Sequence, residues 1–152
     1  MVLARDATVE VSLPSRLGFE KVAMGTAASV ARLMGFSEDR VEDLKTAIAE
    51  ACINAMEHGN KFNDDLPVGV VLTLHDTSLE VRVIDKGTGP DHPVPPPDID
   101  RKMHGEEPAR GLGMFLIQSL VDEAEWVKGQ TSGESYIRLV IRLQKGQLNK
   151  AS

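Results

Sequence analysis

The chain has 152 residues, 41% apolar and 26% charged, which suits one globular domain with a sizeable core. Its formal charge of −6 argues against a basic nucleic-acid surface, and no apolar run approaches the roughly 18 residues that span a bilayer. The N-terminus lacks the apolar core of a signal peptide, and the single Cys52 excludes an intrachain disulfide framework, so a cytoplasmic protein is expected.

Residues 7–13, ATVEVSL, alternate as a half-buried strand that Pro14 ends. Leu17 to Met34 predicts a helix with Phe19, Val22, Ala23, Val30 and Leu33 in its apolar stripe and Gly35 at its stop. Ser37 suits the N-cap of a second helix, and Glu38 and Asp39 favour its positive dipole end. That helix is expected to run from Glu38 to His58, burying Val41, Leu44, Ile48, Ala51 and Ala55. Within it, EACINAMEHGN sets Glu50, Asn54 and His58 at four-residue intervals. At about 100° per residue, Glu50 and Asn54 fall beside the apolar stripe, on the border of a pocket.

Val68–Leu74 and Leu79–Asp85 read as a hairpin closed by His75 to Ser78. Residues 86–110 are rich in proline, and a connection this long is commonly a lid or binding loop. From Gly111 a short apolar helix follows, then strands over Glu125–Lys128 and Ser135–Leu143. The domain is expected to cover 1–146, with a frayed tail over 147–152. The sum is an α+β two-layer sandwich: a mixed sheet of about five strands with helices on one face.

Two further motifs carry chemistry. In VIDKGTGPD, Asp85 ends a strand and is followed by Gly87 and Gly89. Such an Asp can accept from an exocyclic amine, and the glycines let backbone approach a flat ring; the same stretch also reads as an ordinary turn. In ARGLGMFLI, Gly111 and Gly113 open a helix whose unpaired N–H groups can seat phosphate, with Arg110 adding charge. A merely flexible helix start fits those glycines equally well. No Walker A pattern occurs.

In order, Glu50-x-x-x-Asn54, Asp85-x-Gly87-x-Gly89, a long lid and Gly111-x-Gly113 resemble the GHKL ATPase superfamily. EACINAMEHGN and GLGMFLIQSLVDE are similar to the anti-sigma factor serine kinases within it. The resemblance implies ATP and magnesium, with Asn54 as the magnesium ligand and Glu50 as general base toward a serine hydroxyl. It gives Asp85, Gly87 and Gly89 to adenine, and Arg110, Gly111 and Gly113 to the phosphates. The implied protein substrate is an anti-sigma factor antagonist, and the implied partner a sigma factor or similar regulator. Neither nucleic acid nor membrane is implied, and homodimers occur among relatives. Lys21 stands near a basic position that contacts the partner in relatives.

His58 and Lys61 are expected to be structural and superficial, Cys52 a small buried residue, and Met24, Met34, Met56 and Met114 packing residues. The Pro-rich lid departs from relatives with paired threonines there. Its His92 and His104, with Asp91, Asp98 and Asp100, fit no metal-ligand spacing. The competing reading is an ATP-binding module that captures a partner without phosphoryl transfer. A detached histidine-kinase ATPase half is disfavoured because no preceding helical pair bears a phosphoacceptor His. A gyrase-like ATPase would require a transducer domain for which 152 residues leave no room.

Overall fold

The computed structural model describes residues 6–87, 109–129 and 134–144. Strand β1 (Ala7–Leu13) leads into helices α1 (Glu20–Met34) and α2 (Glu38–Asn54), and α2 continues as a π-helical turn over Ala55–Gly59. The hairpin of β2 (Val68–Leu74) and β3 (Ser78–Asp85) follows, then α3 (Ala109–Leu120), β4 (Glu123–Lys128) and β5 (Ser135–Arg142). The five strands lie in the order β1-β2-β3-β5-β4. Among the described residues no helix is long and apolar enough to cross a membrane.

The two-layer α+β sandwich is present, but its sheet is antiparallel throughout rather than mixed. Two helices between β1 and β2 reverse the chain twice, so β2 returns antiparallel to β1. Helix α3, the helix described between β3 and β4, leads into a β4 that runs the same way as β3. However, β5 folds back between them, and every ladder becomes antiparallel.

One face of the sheet and the helices share a single core. Val70, Leu72, Leu79, Val81, Leu139 and Ile141 are fully buried with Val41, Leu44, Ala47, Ile48 and Ala51 of α2. Glu50 and Asn54 are half buried beside that stripe, at the border the helical spacing predicts. Ser37 caps α2 by accepting from the Arg40 N–H at 3.3 Å.

Helix α1 corrects the predicted stripe. It starts at Glu20, not Leu17, and Leu17, Val22 and Leu33 are exposed at 63%, 48% and 55%; Phe19 is also exposed. The buried face is carried by Ala23, Ala27, Ala28 and Ala31, with Val30 and Met34. Small side chains let α1 settle closely on its neighbour, and the larger apolar groups are left on the outer flank. Gly35 stops the helix at φ 96°. Its N–H donates to Arg32 O and that of Phe36 to Ala31 O, both at 3.1 Å, the Schellman pattern.

Helix α3 runs antiparallel to α2. Near its C-terminus, Arg40 at the start of α2 donates to Leu120 O at 3.0 Å and to Asp122 Oδ2 at 3.1 Å, while also bonding Asp43. The N-terminal half of α3 is thereby set beside the C-terminal end of α2, where Glu50 and Asn54 stand.

Cys52 is buried as expected, and burial first, then the nearby Glu20 charge, pushes its thiol up to about 12. A thiol reagent near pH 8 is therefore expected to leave native Cys52 unmodified over hours and to react promptly once the chain is unfolded. The unfolded chain releases this proton near the ordinary thiol value, about 8.5, while the folded chain retains it. The stability this thiol contributes is complete below about pH 8.5 and falls as the pH rises toward 12.

Candidate functional site

Three chain segments converge at the C-terminal end of α2. A side-chain carbon placed on Gly113 would lie 3.1 Å from Glu50 Oε2 and 3.1 Å from Asn54 Nδ2. The carboxylate and the amide therefore both face the backbone of α3. Because α3 begins at Ala109, Arg110 and Gly111 lie in its first turn, whose N–H groups lack intrahelical partners. Gly113 lies beyond that turn. Its missing side chain leaves space for Glu50 and Asn54.

The second part of the site is a cavity of about 270 Å³ shared by Asn54 and Asp85. This is near the lower end of small-ligand pockets, which span roughly 300–1,000 Å³. Ala55, Val83, Met114, Trp126 and Ile137 provide apolar walls, and Gln118 and Glu125 add polar groups. Glu50, one turn back along α2, is not among the lining residues.

Asp85 reaches this cavity because of strand period. Leu79, Val81, Val83 and Asp85 alternate onto the helix-facing side of β3, so the apolar ladder ends in a carboxylate that is only 5% exposed. Its cross-strand neighbour on β5 is the buried Ser135. Asp85 Oδ1 accepts from the Gly87 N–H at 3.1 Å, fixing the turn that leaves the strand.

That turn is pressed against the π-helical end of α2. A side chain on Gly87 would overlap Gly59 O, and one on Gly59 would overlap the Asp85 carboxyl carbon. Glycine at both positions is what lets the two backbones meet. The π turn itself departs from the predicted α-helix to His58. Asn60 N–H reaches Ala55 O at 2.8 Å, and the widened turn carries His58 out of regular register with Asn54. His58 is half buried, with its Nε2 4.0 Å from Glu57 Oε2. Lys61 is exposed and holds a left-handed backbone at φ 52°.

Gly89, His92 and His104 lie outside the described residues, as does most of the Pro-rich lid. Among the described residues no cluster of three or more His, Cys, Asp or Glu side chains is placed to hold a metal. A magnesium ion does not require one: it keeps several waters and binds through few protein oxygens plus substrate phosphates. The Asn54 amide beside a helix N-terminal region fits that donor set.

Gly113→Ala is expected to separate stability from function. Alanine gains up to about 1 kcal/mol of helix propensity over glycine, while its methyl crowds Glu50 and Asn54. The variant is expected to melt at or slightly above the wild-type temperature in a thermal scan and to lose most of its activity.

Sequence reasoning did not single out Gly59, Asn60, Gln118, Trp126 or Ser135. Gly-Asn after a helix reads only as a C-terminal stop, and a Trp in an alternating strand reads as core. The period-2 placement of Asp85 after Leu79, Val81 and Val83 was the one legible pointer to its neighbours.

The histidine kinase-like ATPase domain matches residues 13–141 of the chain. Proteins named serine-protein kinase RsbW from Bacillus thuringiensis (strain Al Hakam) and Bacillus anthracis (strain A0248) are each 33% identical over 129 residues. Those alignments cover 82% of this chain and 79% of each relative. The crystal structure of the RsbU and RsbW domains of Rv1364c from Mycobacterium tuberculosis superposes with a TM-score of 0.64 at 20% identity. It covers 90% of this chain, which spans only 32% of that longer one, and this likeness bears on the fold alone. By its domain match and its RsbW relatives, the chain belongs to the histidine kinase-like ATPase domain family, in the group of the RsbW serine-protein kinases.

Proposed function

We propose that this chain is an ATP- and magnesium-dependent serine/threonine protein kinase. Its substrate is an anti-sigma factor antagonist, and it also binds a sigma factor or similar regulator. The observation that carries the reading is the meeting of Glu50 and Asn54 at Gly113, with Asn54 and Asp85 sharing one cavity. A base, a metal-binding amide and an amine-reading carboxylate are the groups such a transfer requires.

In this reading Asp85 accepts a hydrogen bond from the adenine amine, and the apolar walls around Trp126 and Ile137 cover the ring. Gly87 belongs to the turn beside it, and Gly87 and Gly89 are assigned with Asp85 to the adenine. Arg110, Gly111 and the first turn of α3 hold the phosphates, and Gly113 admits Asn54 and Glu50 to them. Asn54 offers its amide oxygen to magnesium. Magnesium, when bound, neutralises phosphate charge. Glu50 takes the proton of the attacking hydroxyl as its oxygen bonds to the γ-phosphorus and ADP leaves. Holding these groups in place supplies most of the rate.

The protein partner is proposed to use the outer face of α1. Val22 and Leu33 are exposed on that helix, Lys21 is exposed in its first turn and Leu17 just before it, and exposed apolar groups favour protein contact. A single kinase domain over 1–146 and a homodimer complete the proposal.

The test is incubation of the chain with magnesium, γ-labelled ATP and an anti-sigma antagonist. Label is expected on a serine or threonine of the antagonist. Saturable ATP binding with no label transferred, for any antagonist that binds the chain, would replace the kinase by a partner-capturing module.

A further inference from the structure

Asn60 is only 2% exposed, and no role above uses its side chain. Its Nδ2 group donates to Ser15 Oγ at 3.0 Å, Leu66 O at 2.8 Å and Pro67 O at 3.2 Å. Its Oδ1 accepts from the Lys86 N–H at 2.8 Å. One buried amide thus joins the segment after β1, the entry to β2 and the exit of β3. Its two donor hydrogens and its acceptor oxygen are all engaged.

The Lys86 contact is the informative one. Lys86 follows Asp85 directly, so fixing its N–H fixes the plane of the peptide that joins the two. The same turn is held from its other side by the Gly87 N–H to Asp85 Oδ1 bond. Gly59, the neighbour of Asn60, passes so close to Asp85 and Gly87 that neither glycine tolerates a side chain. Asn60 N–H closes the π turn on Ala55 O at 2.8 Å, and Ala55 lines the same cavity as Asp85. The end of α2 therefore carries Asn54 into the site and, a few residues on, grips the turn that carries Asp85.

We propose that Asn60 is a positioning residue for base recognition, holding the peptide after Asp85 so that its carboxylate meets an adenine amine. The proposal rests on the nucleotide reading above. Adenine presents an amine donor where guanine presents a carbonyl oxygen. A carboxylate held in place accepts from the first and repels the second, whereas a loosened one discriminates less. A purely structural Asn60 would lower stability and leave this preference intact.

The test compares ATP and GTP affinities of the full chain by calorimetry for wild type, Asn60→Ala, Ser15→Ala, Asp85→Asn and the Asn60→Ala/Asp85→Asn double variant. Asn60→Ala orphans the Lys86 N–H and is expected to weaken ATP binding about tenfold while narrowing the ATP-over-GTP preference. Ser15→Ala removes a different partner of Asn60; it is expected to melt lower and keep the preference. In the Asp85→Asn background Asn60→Ala is expected to add little, because residues acting through one another are not additive.

Should Asn60→Ala not fold, Asn60→Asp keeps the acceptor for the Lys86 N–H and is expected to retain the ATP preference despite lower stability. Loss of preference in that variant overturns the proposal. So does full additivity with Asp85→Asn, or an equal loss for ATP and GTP in Asn60→Ala. An Asp85→Asn variant that binds ATP as wild type does overturns the adenine assignment itself, and the positioning role falls with it.

Discussion

Glu50→Ala is expected to lower phosphoryl transfer to the antagonist by about 10²–10⁴-fold, the range for removing a positioned general base. ATP affinity should remain within a few-fold of wild type, because Glu50 does not line the cavity that Asn54 and Asp85 share. Glu50 is half buried and faces α3 at Gly113, so truncation leaves space at a helix contact. Glu50→Gln controls for this, since it keeps the shape and removes the proton acceptor. Single-turnover transfer with labelled ATP should fall similarly in both variants. Transfer that survives in Glu50→Gln would move the base elsewhere and leave Glu50 a packing residue.

Asn54→Ala is expected to act on binding. The amide is the described side chain that both lines the cavity and faces the N-terminal half of α3. A hydrogen bond or ligand contact to a charged group is worth about 1.5–3 kcal/mol, or roughly ten- to hundredfold in affinity. The loss should appear when magnesium is present and shrink when it is chelated, since the amide is proposed to act through the metal. Stability should change little, because Asn54 is only half buried and no side-chain hydrogen bond holds it among the described contacts. Equal weakening with and without magnesium would assign Asn54 to the nucleotide directly and remove it as a metal ligand.

Much of this architecture was legible in the sequence because period is a physical signal. Strand alternation located β1 to the residue, and the Val41, Leu44, Ile48, Ala51 stripe of α2 is fully buried as read. Gly35 and Ser37 marked a helix end and a helix start because one tolerates a left-handed backbone and the other accepts an orphan N–H. Where reading failed, size misled. In α1, Val22 and Leu33 outweigh four alanines in any hydrophobic tally, yet close helix packing selects the alanines.

The sheet was misjudged as mixed because local pattern does not reveal that β5 inserts between β3 and β4. The site followed the same division. Glu50, Asn54 and Asp85 are chemically conspicuous on their elements, and the fold brings Asn54 and Asp85 to one cavity. Gly59 and Asn60 act through a π turn and a contact between backbones distant in sequence, and neither leaves a periodic trace.

The most direct measurement is a calorimetric titration of the intact chain with ATP, with magnesium present and with magnesium removed by chelation. The account predicts saturable binding of one nucleotide per chain on a micromolar scale, clearly weakened when magnesium is removed. Absence of binding under both conditions would contradict it, leaving a histidine kinase-like fold whose Asn54–Asp85 cavity serves no nucleotide.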